Sequence, residues 1–286
     1  MNFLVTGATG FAGSHLLKYL ESIPDAHCIG TSKTPADNPN IVRCELTDDR
    51  QVEDVIEKAQ PAVIIHAAGS FSHDFETDYM NNVVAAKILL DATLKYRKDA
   101  RVVLMGSAAE YGHVSNRENP VTEQRALKPI SVYGWCKAAQ SLLAPLYTNM
   151  HGMKVMVART FNLSGKGMSD RLFIGRVEQQ IHDVQSGKAS RIVVGNLDAK
   201  RDYIDIEDAC AMYLAIATRG RPGEVYNVGS GSAVSMRELL HSMLSDAGLD
   251  AAIVDEAQRN TPSNEVSTIY ADISKITDLM NQEQPG

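Results

Sequence analysis

The sequence predicts an α/β protein: a doubly wound parallel sheet with helices on both faces, followed by a smaller C-terminal α/β lobe. Three observations carry this. Short apolar runs alternate with helical patterns as far as residue 162, which is the rhythm of a parallel sheet. Glycines stand three apart between the first apolar run and the first helix. Past residue 162 the elements become shorter and the alternation less regular.

The opening stretch, residues 2–20, reads NFLVTGATGFAGSHLLKYL. Phe3, Leu4 and Val5 form a buried strand, and Leu16, Leu17 and Leu20 recur at helical spacing. Gly7, Gly10 and Gly13 lie between them. Gly7 allows the turn, Gly10 lets the backbone approach a pyrophosphate, and Gly13 lets the helix pack on the strand. A strand, a glycine turn and a helix place a helix N-terminus against phosphate, as in a Rossmann-type unit.

A second strand, 26–31, ends in Thr31, Ser32 and Lys33. NAD-binding units carry a ribose-binding carboxylate at this place. Here a cation and two hydroxyls stand instead, which favours NADP, with NAD left open. A Pro- and Asn-rich loop leads to a third strand, 41–44, followed by Glu45 and Leu46. These two are candidates for the adenine, Glu45 accepting from its amino group and Leu46 packing on the ring. Alternatively Glu45 caps the helix 48–58, a task open equally to Thr47 or Asp48. The fourth strand, 62–66, ends at His66, and the small Ala67, Ala68 and Gly69 leave room for a cofactor across the strand ends.

An amphipathic helix is expected over 78–96 and a fifth strand over 101–105, followed by Gly106 and Ser107. A polar loop leads to Ser131, which starts a helix bearing Tyr133 and Lys137. A sixth strand, 154–158, is followed by Arg159, Thr160, Phe161 and Asn162. Beyond it, helices are expected over 171–187, to 217 and over 236–244, with strands near 201 and at 225–228. We expect a dinucleotide-binding domain over 1–163 and a substrate-binding lobe over 164–286, with 201–215 returning to the first.

Composition narrows the class. The 286 residues are 44% hydrophobic and 22% charged, ordinary for a globular protein. A net charge of −7 argues against nucleic acid or an acidic membrane surface as partner. No apolar run approaches the ~18 residues of a membrane span. The first strand follows Met1 directly, so no signal peptide is expected. Cys28, Cys44, Cys136 and Cys210 are scattered, which fits free thiols in a reducing cytoplasm. The eight histidines form no HxxxH or HExxH cluster, so no metal site is expected.

Tyr133 and Lys137 are four apart and face the same way on one helix. An ammonium beside a phenol lowers the phenol's pKa. Reducing a ketone needs a hydride donor on one face and a proton donor near the oxygen. Tyr133 is expected to give the proton, Lys137 to tune it and hold the nicotinamide ribose, and Ser107 to orient the carbonyl.

With these residues in place, the chain resembles an extended short-chain dehydrogenase/reductase of the NAD-dependent epimerase/dehydratase family. The matching stretches are TGATGFAG at 6–13, HAAG at 66–69, GSAAEYG at 106–112, YGWCK at 133–137, RTFNLSG at 159–165, RDYIDIEDA at 201–209 and YNVGSG at 226–231. Within the family it is most similar to the GDP-6-deoxy-4-keto-mannose reductases, through GSAAEYG, VGNLDAKRDYIDIED, GEVYNVGSG and the RNTPSNE run at 259–265. The resemblance implies cofactor contacts from Gly7, Thr9, Gly10, Phe11, Ala12, Gly13, Thr31, Ser32, Lys33, Glu45, Leu46, His66, Ala67, Ala68, Gly69, Tyr133, Lys137 and Thr160. For the substrate it points to Ser107, Glu110, Asn162, Arg201 and Arg259, although each arginine could equally be a structural ion pair. Family habit implies a homodimer built on two long helices from each subunit.

The family's dehydratases follow the serine or threonine with acidic residues, and its fucose-type epimerase-reductases place a cysteine in this loop. Here those positions are Ala108 and Ala109, which move no protons. That favours a 4-keto reductase. A 4-epimerase with tightly bound NAD remains its competitor, and a non-catalytic NADP-sensing protein is the alternative from another class. Glu110 is read as bonding loop backbone or a sugar hydroxyl. Trp135 and Cys136 depart from the small or polar residues usual inside YxxxK. Trp135 would narrow the sugar pocket or pack at a subunit contact, and Cys136 would be buried. The resemblance also implies a Trp-Xaa-Pro segment after Lys275, which this sequence does not contain.

Overall fold

The computed structural model describes residues 1–256 and 267–282. The first half alternates strand and helix. It comprises β1 (Asn2–Thr6), α1 (Phe11–Glu21), β2 (His27–Ser32), β3 (Ile41–Arg43), α2 (Asp49–Ala59), β4 (Val63–His66), α3 (Phe75–Asp78), α4 (Ala85–Tyr96), β5 (Arg101–Ser107), α5 (Val132–His151) and β6 (Lys154–Thr160). The second half contains β7 (Asn162–Ser164), α6 (Phe173–Gln185), β8 (Ile192–Val194), β9 (Lys200–Arg201), β10 (Tyr203–Asp205), α7 (Ile206–Arg219), β11 (Val225–Val228), β12 (Val234–Ser235), α8 (Met236–Asp246), β13 (Val254–Glu256), β14 (Thr268–Ile269) and α9 (Ser274–Asn281).

The main sheet runs β11-β6-β5-β4-β1-β2-β3, and every pairing in it is parallel. Parallel strands covered on both faces read as continuous apolar runs, and Leu4, Ile64, Val102 and Val155 are all fully buried. α1, α7 and α9 cover one face through Leu16, Leu20, Tyr213, Ile216 and Ile276. α2, α4 and α5 cover the other through Val52, Ile56, Leu89, Leu90 and Ala144. Each such large aliphatic contributes roughly 1.5–3 kcal/mol by leaving water. Strand order reverses beside β1, between β2 and β4, so a crevice opens at the carboxyl ends of β1 and β4.

The structure departs from the sequence reading at identifiable points. The helix expected over 78–96 begins at Phe75 and widens into a π-helical segment, Tyr79–Val84, before α4. Within it Asn82 Nδ2 donates to the carbonyls of Asp78 at 2.8 Å and Ser70 at 3.0 Å, and Asp78 is buried under Ser70 and Ser72. β5 and β6 each run two residues further than expected, pairing Ser107 with Thr160. The α2 cap is Asp48, whose carboxylate accepts from the amides of Arg50 and Gln51. β11 also joins the main sheet beside β6, and α9 packs with it, so the chain returns to the first layer beyond residue 215 as well.

The smaller layer has its own core. Val177 and Ile181 of α6 pack on Ile192 and Val194 of β8 and on Leu240 and Leu244 of α8. β7 continues directly from β6 of the main sheet and pairs with β10, so the second layer begins at the mouth of the crevice.

Candidate active site

The glycine turn is built as its spacing implies. Gly7 has φ +68°, and a Cβ there would stand 2.7 Å from the Ala68 Cα. A Cβ on Gly13 would stand 2.1 Å from the Gly7 carbonyl oxygen. Gly10 is the N-cap of α1, with no side-chain cap and no acidic residue in the first turn. The helix N-terminus therefore presents its amides, from Phe11 and Ala12 onward, without a protein anion to satisfy them. Ala67, Ala68 and Gly69 lie at the end of β4.

Beyond β2, the Thr9 and Ser32 hydroxyls are 2.9 Å apart, and the buried Thr31 Oγ1 has no partner. Lys33 Nζ lies 2.8 Å from Glu45 Oε2. That hydrogen bond from Lys33 holds the Glu45 carboxyl below the usual range. Glu45 does not cap α2. With Thr34, Arg43 and Gln51, the pair lines a surface cavity. Leu46 is half-buried nearby in sequence, against the cluster under α2 and α4. The sequence reading missed Arg43, because an arginine at a strand end has no periodic signature.

His66 closes β4, as expected for a strand-end histidine. It is fully buried in the sheet, with Nδ1 2.8 Å from Thr6 Oγ1 and Nε2 unpartnered. Burial, reinforced by the charge of Lys137, pushes its pKa down to about 3. It is a neutral ring beneath the crevice rather than a group on its surface.

Ser107, Tyr133 and Lys137 come together at the ends of β5 and α5. Ser131 caps α5 by accepting from Gly134 N–H, which sets the first turn carrying Tyr133. A Cβ on Gly134 would approach the Ala109 carbonyl to 2.5 Å, so glycine lets the helix meet the serine turn. Lys137 is buried and donates to the Met105 carbonyl and to Gln140 Oε1, each at 3.0 Å. Its Nζ is 6.0 Å from the centre of the Tyr133 ring. A Cβ on Gly69 would meet Asn82 Oδ1 at 2.6 Å and Lys137 Nζ at 3.1 Å, so both converge on Gly69.

The electrostatics differ from the expected depressed phenol. Burial pushes Tyr133 up to about 12, although its side-chain hydrogen bond with Ser107 acts in the opposite direction. Burial pulls Lys137 down to about 8, against the attraction of Glu110, Cys136 and Asp78. Desolvation dominates for the phenol, and the negative charges of Glu110 and Asp78 add to it. At neutral pH Tyr133 is a protonated phenol.

Glu110 does not face the crevice. It is completely buried, with its carboxylate bonded to Ser107 N–H, the Ser141 hydroxyl and Arg159 Nε. It bonds loop backbone as expected, but burial removes it from the groups open to a substrate. Thr160 is buried and 3.0 Å from the Tyr213 hydroxyl. Asn162, on β7, donates to the Asp202 carbonyl at 3.0 Å. Arg201 stands on β9 and donates to the Lys200 carbonyl at 2.9 Å. Arg259 lies outside the described residues. Cys136 is buried, and Trp135 is exposed against Phe75 and Tyr79. Phe71, exposed on the loop after Gly69, sets its edge against the Tyr133 ring, centroids 5.0 Å apart.

Sequence reasoning missed Asn82, Gln140, Arg159 and Phe71. Only Arg159 carried a usable signal, since a charge at the end of an apolar strand needs a buried partner. Among the described residues no group of three His, Cys, Asp or Glu is arranged to hold a metal, and no helix is long and apolar enough to cross a membrane.

A glycine cradle at a strand-order reversal, with a serine, tyrosine and lysine at the neighbouring strand end, defines a short-chain dehydrogenase/reductase enzyme. The chain belongs to the NAD dependent epimerase/dehydratase family, whose profile matches residues 3–229. It is 30% identical over 262 residues to the GDP-6-deoxy-D-mannose reductase of Pseudomonas aeruginosa, covering 89% of this chain and 83% of that protein. To a dTDP-glucose 4,6-dehydratase of Streptomyces antibioticus it is 28% identical, covering 89% and 80%. Among solved structures it superimposes on RMD from Pseudomonas aeruginosa complexed with NADPH, with a TM-score of 0.86, 26% identity and coverage of 98% and 92%.

Proposed function

We propose that this chain uses NADPH to reduce the 4-keto group of a nucleotide-linked 6-deoxyhexose, of the GDP-4-keto-6-deoxymannose type. The carrying observation is that Ser107, Tyr133 and a buried Lys137 come together at the end of β5, with Tyr133 the proton-moving side chain. The turn after Ser107 is Ala108 and Ala109, and Glu110 beyond them is held by Arg159. A dehydratase needs a further acid and base, for which this turn has no side chain. Similarity to the Pseudomonas reductase supports the same choice.

The cradle suits a dinucleotide. Gly7 and Gly13 leave no space for a Cβ, the α1 N-terminus has no anion of its own, and Thr31 Oγ1 is buried without a partner. Residues 7–13 would hold the pyrophosphate, and Thr31, Ser32 and Lys33 the adenosine ribose and its 2′-phosphate. The nicotinamide supplies hydride when bound. Tyr133 donates its proton to the ketone oxygen as that oxygen gains charge. Ser107 orients the carbonyl through its hydroxyl. Lys137, fixed by Met105 O and Gln140, stabilises the phenolate left behind. Asn162 and Arg201, with Arg259, are proposed for the sugar nucleotide. Two copies are proposed to pair through the outer faces of α4 and α5, where Leu142, Leu146 and Met150 are exposed.

One observation favours the competing epimerase with bound NAD: Lys33 is already neutralised by Glu45. The two are separated by following absorbance at 340 nm with GDP-4-keto-6-deoxymannose and NADPH. The reductase consumes one NADPH per product, and Tyr133→Phe lowers turnover by roughly 100- to 10,000-fold. Absence of NADPH oxidation with every 4-keto sugar nucleotide tried overturns the proposal.

A further inference from the structure

Behind the Ser107 turn lies an ion pair shut off from solvent. Glu110 Oε2 accepts from Arg159 Nε at 2.8 Å, with side-chain exposures of 0% and 3%. Glu110 Oε1 accepts from Ser107 N–H at 2.7 Å and from the Ser141 hydroxyl at 2.9 Å. A Cβ on Gly106 would stand 2.5 Å from that oxygen, so glycine is needed for the carboxylate to sit there. Arg159 Nη1 donates to the Tyr111 hydroxyl at 3.1 Å, which donates to Asn227 Oδ1 at 2.7 Å. Asn227 Nδ2 in turn donates to the Val121 carbonyl at 2.8 Å and the Asp272 carbonyl at 3.2 Å. A continuous polar chain thus runs from the site serine across β5, β6 and β11 to the segment preceding α9.

Such a pair is not explained by stability. An isolated buried ion pair often contributes no more than apolar groups of the same volume. Its geometry instead fixes one thing the reaction needs. Ser107 is the last residue of β5, paired with Thr160, and opens a tight turn. The carboxylate holds the start of this turn through the Ser107 N–H, and the Ser107 hydroxyl accepts from Ala109 N–H at 3.2 Å within the same capping box.

We propose that Glu110 and Arg159 are positioning residues: by gripping the Ser107 amide, the buried pair sets the serine hydroxyl against Tyr133, and Tyr111 and Asn227 anchor that setting. This rests on the reductase reading for its kinetic test, but not for its structural one. Three variants separate length from charge. Glu110→Asp keeps the charge and withdraws the carboxylate, Glu110→Gln keeps the length and removes the charge, and Glu110→Gln with Arg159→Met removes both charges together.

The groups facing Tyr133 and Lys137 are Ser107 and Glu110 from β5 and its turn, Asp78 from α3, His66 from β4, Tyr213 from α7 and Cys136 on their own helix. Of these, Glu110 and Asp78 hold protons on both. Removing the Glu110 charge releases those protons at lower pH, so the alkaline limb of turnover moves to lower pH by roughly one unit in Glu110→Gln. Glu110→Asp keeps the wild-type limb. It loses on the order of 10- to 100-fold in kcat while KM for the sugar nucleotide changes less than about twofold. The double variant keeps a cooperative melt and the low kcat.

Crystal structures of wild type and Glu110→Asp give a readout that needs no substrate. Movement of Ser107 Oγ away from the Tyr133 hydroxyl supports the proposal. An unmoved serine, an unchanged kcat, or a kcat loss equal to the loss of folded protein by circular dichroism overturns it. A wild-type protein inactive on every 4-keto sugar nucleotide sinks the reductase reading alone, and the crystallographic comparison still decides this one.

Discussion

His66 shows what one buried side chain does to the pH response of the whole chain. Its folded pKa of about 3 lies below the ordinary 6.5. Between those values the unfolded chain binds a proton that the folded chain does not, so stability is complete above pH 6.5 and is lost as pH falls toward 3. Between pH 7 and pH 5 the wild type is expected to lose about 2 kcal/mol more than His66→Gln in urea melts. Parallel losses in the two proteins would show that the ring is not the titrating group. Lys137 behaves in the same direction, since its folded pKa near 8 also lies below the ordinary 10.5. Its consequence is kinetic: turnover should hold through neutral pH and decline above about pH 8. A rate unchanged to pH 10 would contradict the role given to the ammonium. The triad was legible in the sequence because a serine after an apolar strand and a YxxxK helix are spaced for one reaction. The sign of the Tyr133 shift was not, because pairing with Lys137 is visible in spacing whereas burial is visible only in the fold.

At the scale of elements, α1 and its glycine turn are the most sequence-determined part of the molecule. The Gly13 contact explains why: a methyl group there would drive the helix off the Gly7 carbonyl. Gly13→Ala should cost roughly 1–3 kcal/mol in stability through overpacking. It should also weaken NADPH binding at least about tenfold by fluorescence titration, as the helix N-terminus shifts from the pyrophosphate. Unchanged binding would remove the glycine cradle from the account. Strands β1 to β6 could be read because strands buried on both faces are apolar throughout. The π-helical segment could not, because Leu89 and Leu90 keep the helical period on either reading. The widening depends on the buried Asp78 and Asn82, whose partners Ser70 and Ser72 come from the loop before α3. The ends of β5 and β6 were hidden for a similar reason, since Gly106 and Ser107 carry no strand signal and Arg159 interrupts the apolar run before Thr160.

Across the whole molecule, topology was the least legible feature. Val225 to Val228 could serve either layer, and only pairing with β6 assigns it to the main sheet. The second lobe is therefore threaded back into the first through α7, β11 and α9, which places Asp272 and Asn227 within reach of the site serine's supports. The outer face of α5 shows the opposite case, a pattern with no partner in one chain. Leu142 and Met150 are more than 60% exposed, and Leu146 lies between them. If two copies pair there, wild type sediments as a dimer and Leu146→Glu as a monomer at micromolar concentration. A monomeric wild type would end the dimer proposal.

The central claim is that hydride goes to C4 of a sugar-nucleotide ketone while Tyr133 gives the proton. Its most direct measurement uses NADPH carrying deuterium at the transferable position, with GDP-4-keto-6-deoxymannose as substrate and mass spectrometry and NMR of the product. The account predicts one deuterium at C4 for each NADPH consumed, and at least about 100-fold less labelled product with Tyr133→Phe over the same time. No NADPH consumption and no deuterium at C4 would contradict it, and interconversion of the 4-hydroxy sugar nucleotides without added cofactor would identify an epimerase.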